Sequence, residues 1–363
     1  MPDIVTTARR LVRPGRGILA ADESIATMSA RLDAVGVPAS EATRRDYRAL
    51  LLTTRQLSSW VSGMILCDET LRQTLPDGTP FVVAARDLDI QLGVKVDTGA
   101  VPLPFTAGGR ITEGLDGLAR RLAEYRELGA TFAKWRAVLE ATGSSTRTIR
   151  ANAHALARYA ALCQEHEIVP IVEPEILMDG RHEIEICQVL THAVLGELFE
   201  QLDVMGVDPA GIVLKPNMVV PGTGCHQRSC GPEDVARRTL KVLEAQVPAG
   251  VPGVAFLSGG QSNARACANL AAINELAGPA VPWALTFSFG RALVGDALRT
   301  WRGDPAAVAA AQQRLAENCA RAAAACVRSG LVEMAMAGND HREERFGREE
   351  SPLFNSRTLF RGR

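Results

Sequence analysis

Short apolar runs alternate along the chain with stretches whose apolar residues recur every three or four positions. Eight runs have strand length: Gly17 to Ala21, Val61 to Cys67, Leu92 to Val96, Thr131 to Trp135, Ile168 to Val172, Gly211 to Leu214, Gly253 to Leu257 and Trp283 to Phe287. The stretches between them read as amphipathic helices. Ile111, Leu115, Leu118, Leu122 and Tyr125 predict one, with Thr112 as its N-cap and Gly129 just past its end. Ile186, Val189, Leu190, Ala193, Val194, Leu198 and Leu202 predict a second, and Pro232 suits the first position of a third. Asp304-Pro305 opens an Ala-rich helix that is expected to run to about Ser329. Strand alternating with helix implies parallel strands joined by right-handed crossovers. Eight such units predict an α/β fold of the (β/α)8 barrel type, a TIM barrel, with an open doubly wound sheet as the competing arrangement. No internal repeat or interdomain linker interrupts the pattern. Residues 1–337 read as a single barrel domain with terminal helices. Residues 338–363 are polar and rich in Arg and Glu, and read as a mobile tail.

Composition narrows the function classes. Nearly half of the 363 residues are apolar, and the formal net charge is -1. Nothing in that balance favours nucleic acid or an anionic membrane as a partner. The eight cysteines have no paired spacing. That suggests reduced thiols and a cytoplasmic protein, and neither a signal peptide nor a run long enough to span a membrane is evident. The basic residues are lopsided: of 40, only Lys95, Lys134, Lys215 and Lys241 are lysines. Arg carries positive charge but cannot deprotonate or form an imine, whereas Lys can do both. Lys215 ends the apolar run of Gly211 to Leu214, and Pro216 then stops the strand. Lys241 sits in a helical pattern and reads as surface.

In a barrel of parallel strands, catalytic residues sit at the carboxyl ends of the strands. Those ends are unusually polar here: Asp22-Glu23-Ser24, Asp68-Glu69, Lys95 with Asp97, Lys134 with Arg136, Glu173 with Glu175, and Lys215 with Asn217. Any one such charge is most simply a rim salt bridge, but charges at so many successive ends point to a site. A lysine nucleophile must be neutral near pH 7, far below its usual pKa of about 10.4. Desolvation and a neighbouring cation, supplied by Lys134 or Arg136, would lower it. Glu173, Glu175 and Asp22 offer the proton shuttle that imine chemistry needs.

The last two strand ends, Ser258-Gly259-Gly260 and Ser288-Phe289-Gly290-Arg291, read as an anion site of exposed backbone N–H groups with one guanidinium. Leu257-Ser258-Gly259-Gly260-Gln261 also spells an ATPase signature peptide. No Gly-Lys-Ser/Thr loop accompanies it, and no G-x-G-x-x-G follows the first strand. Cys225, His226 and Cys230, with His182 or His192, supply metal-ligand types, but their spacing fits no tight zinc pattern.

Taken together, Leu19-Ala20-Ala21-Asp22-Glu23-Ser24, Gly93-Val94-Lys95-Val96-Asp97, Phe132-Ala133-Lys134-Trp135-Arg136, Val172-Glu173-Pro174-Glu175, Leu214-Lys215-Pro216-Asn217, Leu257-Ser258-Gly259-Gly260 and Ser288-Phe289-Gly290-Arg291 resemble class I fructose-bisphosphate aldolase, in order, from about Arg16 to Trp301. The resemblance implies a metal-independent, cofactor-free lyase built as a (β/α)8 barrel, usually a homotetramer, that cleaves fructose 1,6-bisphosphate in glycolysis and gluconeogenesis. Lys215 would form the Schiff base and Glu173 would be the main acid/base. Asp22 would orient the reacting hydroxyl, Lys134 would set the electrostatics, and Glu175 would support them. Ser258, Gly259, Gly260, Ser288, Gly290 and Arg291 would hold one phosphate. Arg31, Ser24, Lys95 and Arg136 would meet the rest of the phosphorylated sugar. Ala30 and Thr98 stand where many members carry Lys, which thins the charge at the far phosphate, and the chain ends in Arg363 instead of Tyr. Sedoheptulose 1,7-bisphosphate and fructose 1-phosphate stay open as substrates. A phosphate-binding scaffold barrel and a metal-dependent lyase are the readings from other classes.

Overall fold

A computed structural model describes residues 3–225, 230–278 and 281–327. The chain runs α1 (Ile4–Leu11), β1 (Gly17–Ala21), α2 (Ile25–Asp33), α3 (Glu41–Leu52), β2 (Val61–Leu66), α4 (Asp68–Leu71), α5 (Phe81–Asp87), β3 (Gln91–Lys95), β4 (Gly99–Pro102), β5 (Arg110–Glu113), α6 (Leu118–Glu127) and β6 (Phe132–Leu139). It continues α7 (Thr146–Glu165), β7 (Val169–Ile176), α8 (Ile184–Val204), β8 (Val213–Leu214), α9 (Pro232–Gln246), β9 (Gly253–Phe256), α10 (Asn263–Ala277), β10 (Ala284–Phe289), α11 (Arg291–Trp301) and α12 (Val308–Ala324). All eight predicted runs form strands. They close a parallel barrel in the order β1-β10-β9-β8-β7-β6-β3-β2, and the open sheet is ruled out.

One predicted helix is partly wrong. Residues Arg110–Glu113 form β5 and pair antiparallel with Gly99–Pro102, Ile111 lying opposite Val101. Thr112 does not cap a helix. Its hydroxyl donates to the carbonyl of Arg136 at 2.9 Å and ties the hairpin to β6. Gly114 and Gly117 both have positive φ, so the helix can begin only at Leu118. Helix α8 has its predicted span but a shifted face: Ile184, Cys187, Thr191, Val194 and Leu198 are buried, whereas Ile186 and Val189 are exposed.

Strands β6 and β7 outrun the apolar patches that predict them. Their ladder continues from Lys134 opposite Ile171 to Leu139 opposite Ile176. The two prolines of β7 are tolerated because β8 pairs only with Ile171 and Val172, leaving Pro170 and Pro174 on either side of that ladder.

The barrel's interior is filled at one end by Ile18, Ala20, Ile65, Phe132, Val169, Ile171, Val213 and Ala255, and α1 plugs that end with Ala8 and Leu11, joined by its C-cap Val12. Gly93 makes room for Phe132, because a Cβ there would lie 2.2 Å from its ring. A larger apolar cluster fills the layer between strands and helices. No described helix is long and apolar enough to cross a membrane. The Ala-rich helix, expected to run to about Ser329, ends at Ala324, where Ala325 is its C-cap; the expected boundary after 337 and the tail lie outside the described residues.

Candidate active site

Side chains alternate along a strand, so each strand sends a row of every second residue into the barrel. In β1 that row is Ile18, Ala20, then Asp22 just past the strand. In β6 it is Phe132 then Lys134, in β7 Val169, Ile171, Glu173, and in β8 Val213 then Lys215. Four ionisable groups therefore meet above the apolar plug. The Lys215 Nζ lies 3.3 Å from Glu173 Oε1. The Lys134 Nζ lies 3.2 Å from Glu173 Oε2 and 2.7 Å from Asp22 Oδ2. Glu173 Oε2 accepts no hydrogen bond at that distance, so it is paired by charge alone. The Lys215 N–H donates to the Val172 carbonyl at 2.8 Å, the last strand-like bond before Pro216. Asn217 then receives the Ile176 N–H at 3.0 Å and pins the loop that follows β7.

Burial and charge separate these groups. Burial is the main force lowering Lys215; Glu173 opposes it, and the Lys134 ammonium adds to it. Burial also acts to lower Lys134, but Asp22, Glu173 and Asp97 outweigh it and hold Lys134 firmly protonated. Burial would raise Asp22, yet Lys134 and Lys215 bring its pKa down to about 2. Glu173 is lowered in the same way, against burial, by Lys134, Lys215 and Arg136. The site thus contains one fixed cation, two carboxylates and one amine biased toward its neutral, nucleophilic form. Of the two cations expected near Lys215, Lys134 fills that role. The Arg136 guanidinium is instead held by Glu175 at 2.5 Å.

These groups lie in a cleft of about 740 Å³ at the carboxyl ends of the strands. At one end are Ser258, Gly259, Gly260, Gly290 and Arg291. Gly259 and Gly260 both have positive φ, and their N–H groups find no acceptor among the described residues. Arg291 begins α11 and makes no ion pair among the described residues. A helix N-terminus, two free N–H groups and an unpaired guanidinium form a ready anion site. Ser288 is buried beneath this rim, outside the cleft lining, and its Oγ is unpartnered. The opposite end is different. Arg31 pairs with Glu23, Lys95 with Asp97 at 2.7 Å, and Arg136 with Glu175. Ser24 and Thr98 line the cleft there as exposed residues.

The family model described as fructose-bisphosphate aldolase class-I matches residues 3–349. The chain is 50% identical over 309 residues to fructose-bisphosphate aldolase C-A of Danio rerio, covering 84% of each. It is 49% identical over 304 residues to the probable fructose-bisphosphate aldolase class 1 of Xanthomonas campestris, covering 83% of this chain and 90% of that one. A ternary co-crystal structure of fructose-bisphosphate aldolase from Plasmodium falciparum, in complex with TRAP and a small-molecule inhibitor, superposes with a TM-score of 0.87. It is 45% identical and covers 89% of this chain and 93% of that chain. The chain belongs to the class I fructose-bisphosphate aldolase family.

Some residues of this aldolase-family site escape sequence reasoning. Glu23 reads in sequence only as part of a polar strand end, yet it receives both Arg31 and the buried Arg48. Arg48 lies outside every strand end and motif singled out from the sequence. The signal that could have found it is its place among Tyr47, Leu50 and Leu51 on a helix whose inner face is apolar. Other strand-end charges lie apart from the cleft. Glu69 is bound by Arg44 at 2.5 Å, and Asp68 pairs with Arg72 at 2.9 Å, half exposed. Among the ligand-type residues, His182 is buried with both ring nitrogens unpartnered, and His192 bonds Gln246. His226 lies outside the described residues, and among the described residues no three His, Cys, Asp or Glu are grouped to hold a metal.

Proposed function

We propose that this chain cleaves fructose 1,6-bisphosphate reversibly through a Schiff base on Lys215. The observation that carries this reading is the buried amine of Lys215, lowered in pKa and 3.3 Å from Glu173, opening onto a cleft with an anion site at one end. Glu173 takes a proton from the Lys215 ammonium 3.3 Å away, the neutral amine attacks the ketone carbon of the sugar, and Glu173 returns that proton as the carbinolamine loses water. In the resulting iminium ion the nitrogen accepts the electron pair released when the C3–C4 bond breaks. Glu173 takes the proton of the C4 hydroxyl, and Asp22 holds that hydroxyl in line. The aldehyde product leaves, the enamine is protonated at carbon, and water releases dihydroxyacetone phosphate. Lys134 keeps both carboxylates ionised between steps, and Glu175 holds Arg136 at the rim. Free donors from Gly259, Gly260 and Arg291 anchor one phosphate, and Arg31, Ser24, Lys95 and Arg136 face the other.

The paired state of the far cations supports a second reading of substrate range. A far phosphate must compete with Glu23, Asp97 and Glu175 for its partners, which favours tolerance of fructose 1-phosphate or sedoheptulose 1,7-bisphosphate beside the main substrate. We further infer a cytoplasmic homotetramer. The exposed apolar side chains of Ile186 and Val189 on α8 support assembly, and light scattering tests it.

Borohydride reduction in the presence of dihydroxyacetone phosphate, followed by peptide mapping, tests the central claim. The adduct is expected on Lys215 alone; an adduct elsewhere, or none, rejects it.

A further inference from the structure

Helix α3 lies outside the barrel, yet one of its residues reaches toward the chemistry. Arg48 is 1% exposed. Its Nε donates to the carbonyl of Ala21 at 3.0 Å, and its Nη2 donates to the carbonyl of Glu23 at 3.1 Å. These carbonyls flank Asp22. The same Nη2 lies 3.2 Å from the Glu23 carboxylate, whose other oxygen receives Arg31. Strand β1 ends at Ala21, and α2 begins only after Ser24 caps it, so Asp22 sits on the short turn between the two. The Arg48 fork grips that turn on both sides.

We infer that Arg48 is a positioning residue for the reaction: by clamping the Ala21 and Glu23 carbonyls it sets the Asp22 carboxylate against Lys134, and through Glu23 it sets Arg31. This rests on the aldolase reading above. Burying a guanidinium is costly unless its donors are well matched. Simple adhesion of a helix to a strand end needs only apolar side chains, and α3 already has Leu50, Leu51 and Leu52 for that. A fork that meets two carbonyls and a carboxylate fixes geometry, and Lys, with one compact ammonium, cannot reproduce it. Asp22 touches Lys134 at 2.7 Å but does not touch Lys215 within ion-pair distance. Displacing it should therefore spare imine formation and impair bond cleavage.

The test compares wild type with Arg48→Lys in two assays. One is borohydride trapping of dihydroxyacetone phosphate on Lys215; the other is steady-state cleavage of fructose 1,6-bisphosphate, expressed per trappable site so that any unfolded fraction drops out. Trapping per folded molecule is expected to stay within about threefold of wild type. The kcat for cleavage is expected to fall on the order of 10²-fold, the effect of misplacing a reacting group by about 1 Å. KM is expected to rise several-fold as Arg31 loosens. A merely structural role would lower both assays in the same proportion, and that result, or a wild-type kcat, overturns the inference. Should the lysine variant fail to fold, Arg48→Gln, which removes the buried charge, is held to the same ratio. If wild type itself traps nothing on Lys215, the aldolase reading fails instead, so the two failures are distinguishable.

Discussion

The two ends of the barrel are built from the same strands and do opposite work. At the lower end the inward rows are Ile18, Ile65, Phe132, Val169 and Val213, sealed by Leu11 of α1 and by Val12 just after it. One or two inward steps further along, the same rows present Asp22, Lys134, Glu173 and Lys215. The lower end gains stability from burying apolar surface, at roughly 25 cal/mol per Å². The upper end holds four ionisable groups in a poorly solvated space, which is costly and is tolerated because they compensate one another. The arrangement teaches that stability and chemistry are separated along each strand by only two to four residues, about 7–13 Å. Substitutions at the two ends should therefore act on different quantities.

The sharpest way to break this comparison is Lys215→Met. Turnover should fall on the order of 10⁵-fold, since no other amine is placed to form the imine. The melting temperature should hold or rise, because Glu173 keeps Lys134 as its partner while a desolvated amine is removed. A clear loss of stability would show that the upper end also holds the fold together. The mirror experiment is Phe132→Ala. It empties the space that Gly93 leaves for the ring and should cost about 3–5 kcal/mol in urea unfolding. Its kcat per folded molecule should stay within about threefold of wild type. A turnover loss as large as the stability loss would mean that the plug positions the lysines.

Much of this division is legible in the amino-acid sequence. The eight apolar runs predict the barrel because strand burial inside a closed sheet leaves a continuous apolar signature. The scarcity of lysine points to Lys95, Lys134 and Lys215; the last two lie beside Glu173, whereas Lys95 pairs with Asp97. What escapes detection depends on tertiary contact. The β4–β5 hairpin is hidden because Ile111 and Leu115 happen to be spaced like a helix, and only the positive φ at Gly114 and Gly117 breaks it. Periodicity also ends β6 and β7 too early, since inward-facing ions look like loop residues. Arg48 and Glu23 cannot be paired from sequence, because 25 residues and a helix separate them. Asp68 has the same local pattern as Asp22, yet it faces Arg72 at the surface.

Acid should loosen the upper end and leave the lower end alone. Asp22 has a folded pKa of about 2, against an ordinary value of 3.8. A depressed carboxyl contributes stability that is present above the unfolded value and is lost as pH falls through the folded one. That window runs from about pH 4 down to about pH 2, and the contribution is roughly 2 kcal/mol. The unfolding free-energy gap between wild type and Asp22→Asn should therefore narrow between pH 5 and pH 2.5. The penalty of Phe132→Ala should stay constant over the same range. A gap that does not move with pH would mean that Asp22 is not held by charge.

The smallest effect probes the cleft's own asymmetry. The end formed by Gly259, Gly260 and Arg291 has unengaged donors, whereas Arg31, Lys95 and Arg136 each already face a carboxylate. Thr98 lines that second end and is exposed, so a cation there would have no carboxylate assigned to it. Thr98→Lys should lower KM for fructose 1,6-bisphosphate by about two- to fivefold, the worth of roughly 0.5–1 kcal/mol for an exposed ion pair. The KM for fructose 1-phosphate should not change, because that substrate has no phosphate to place there. Because the new contact is solvent-exposed, 0.5 M salt should erase the gain. An equal gain for both substrates would place the added charge near the first phosphate and contradict the assignment of the two ends.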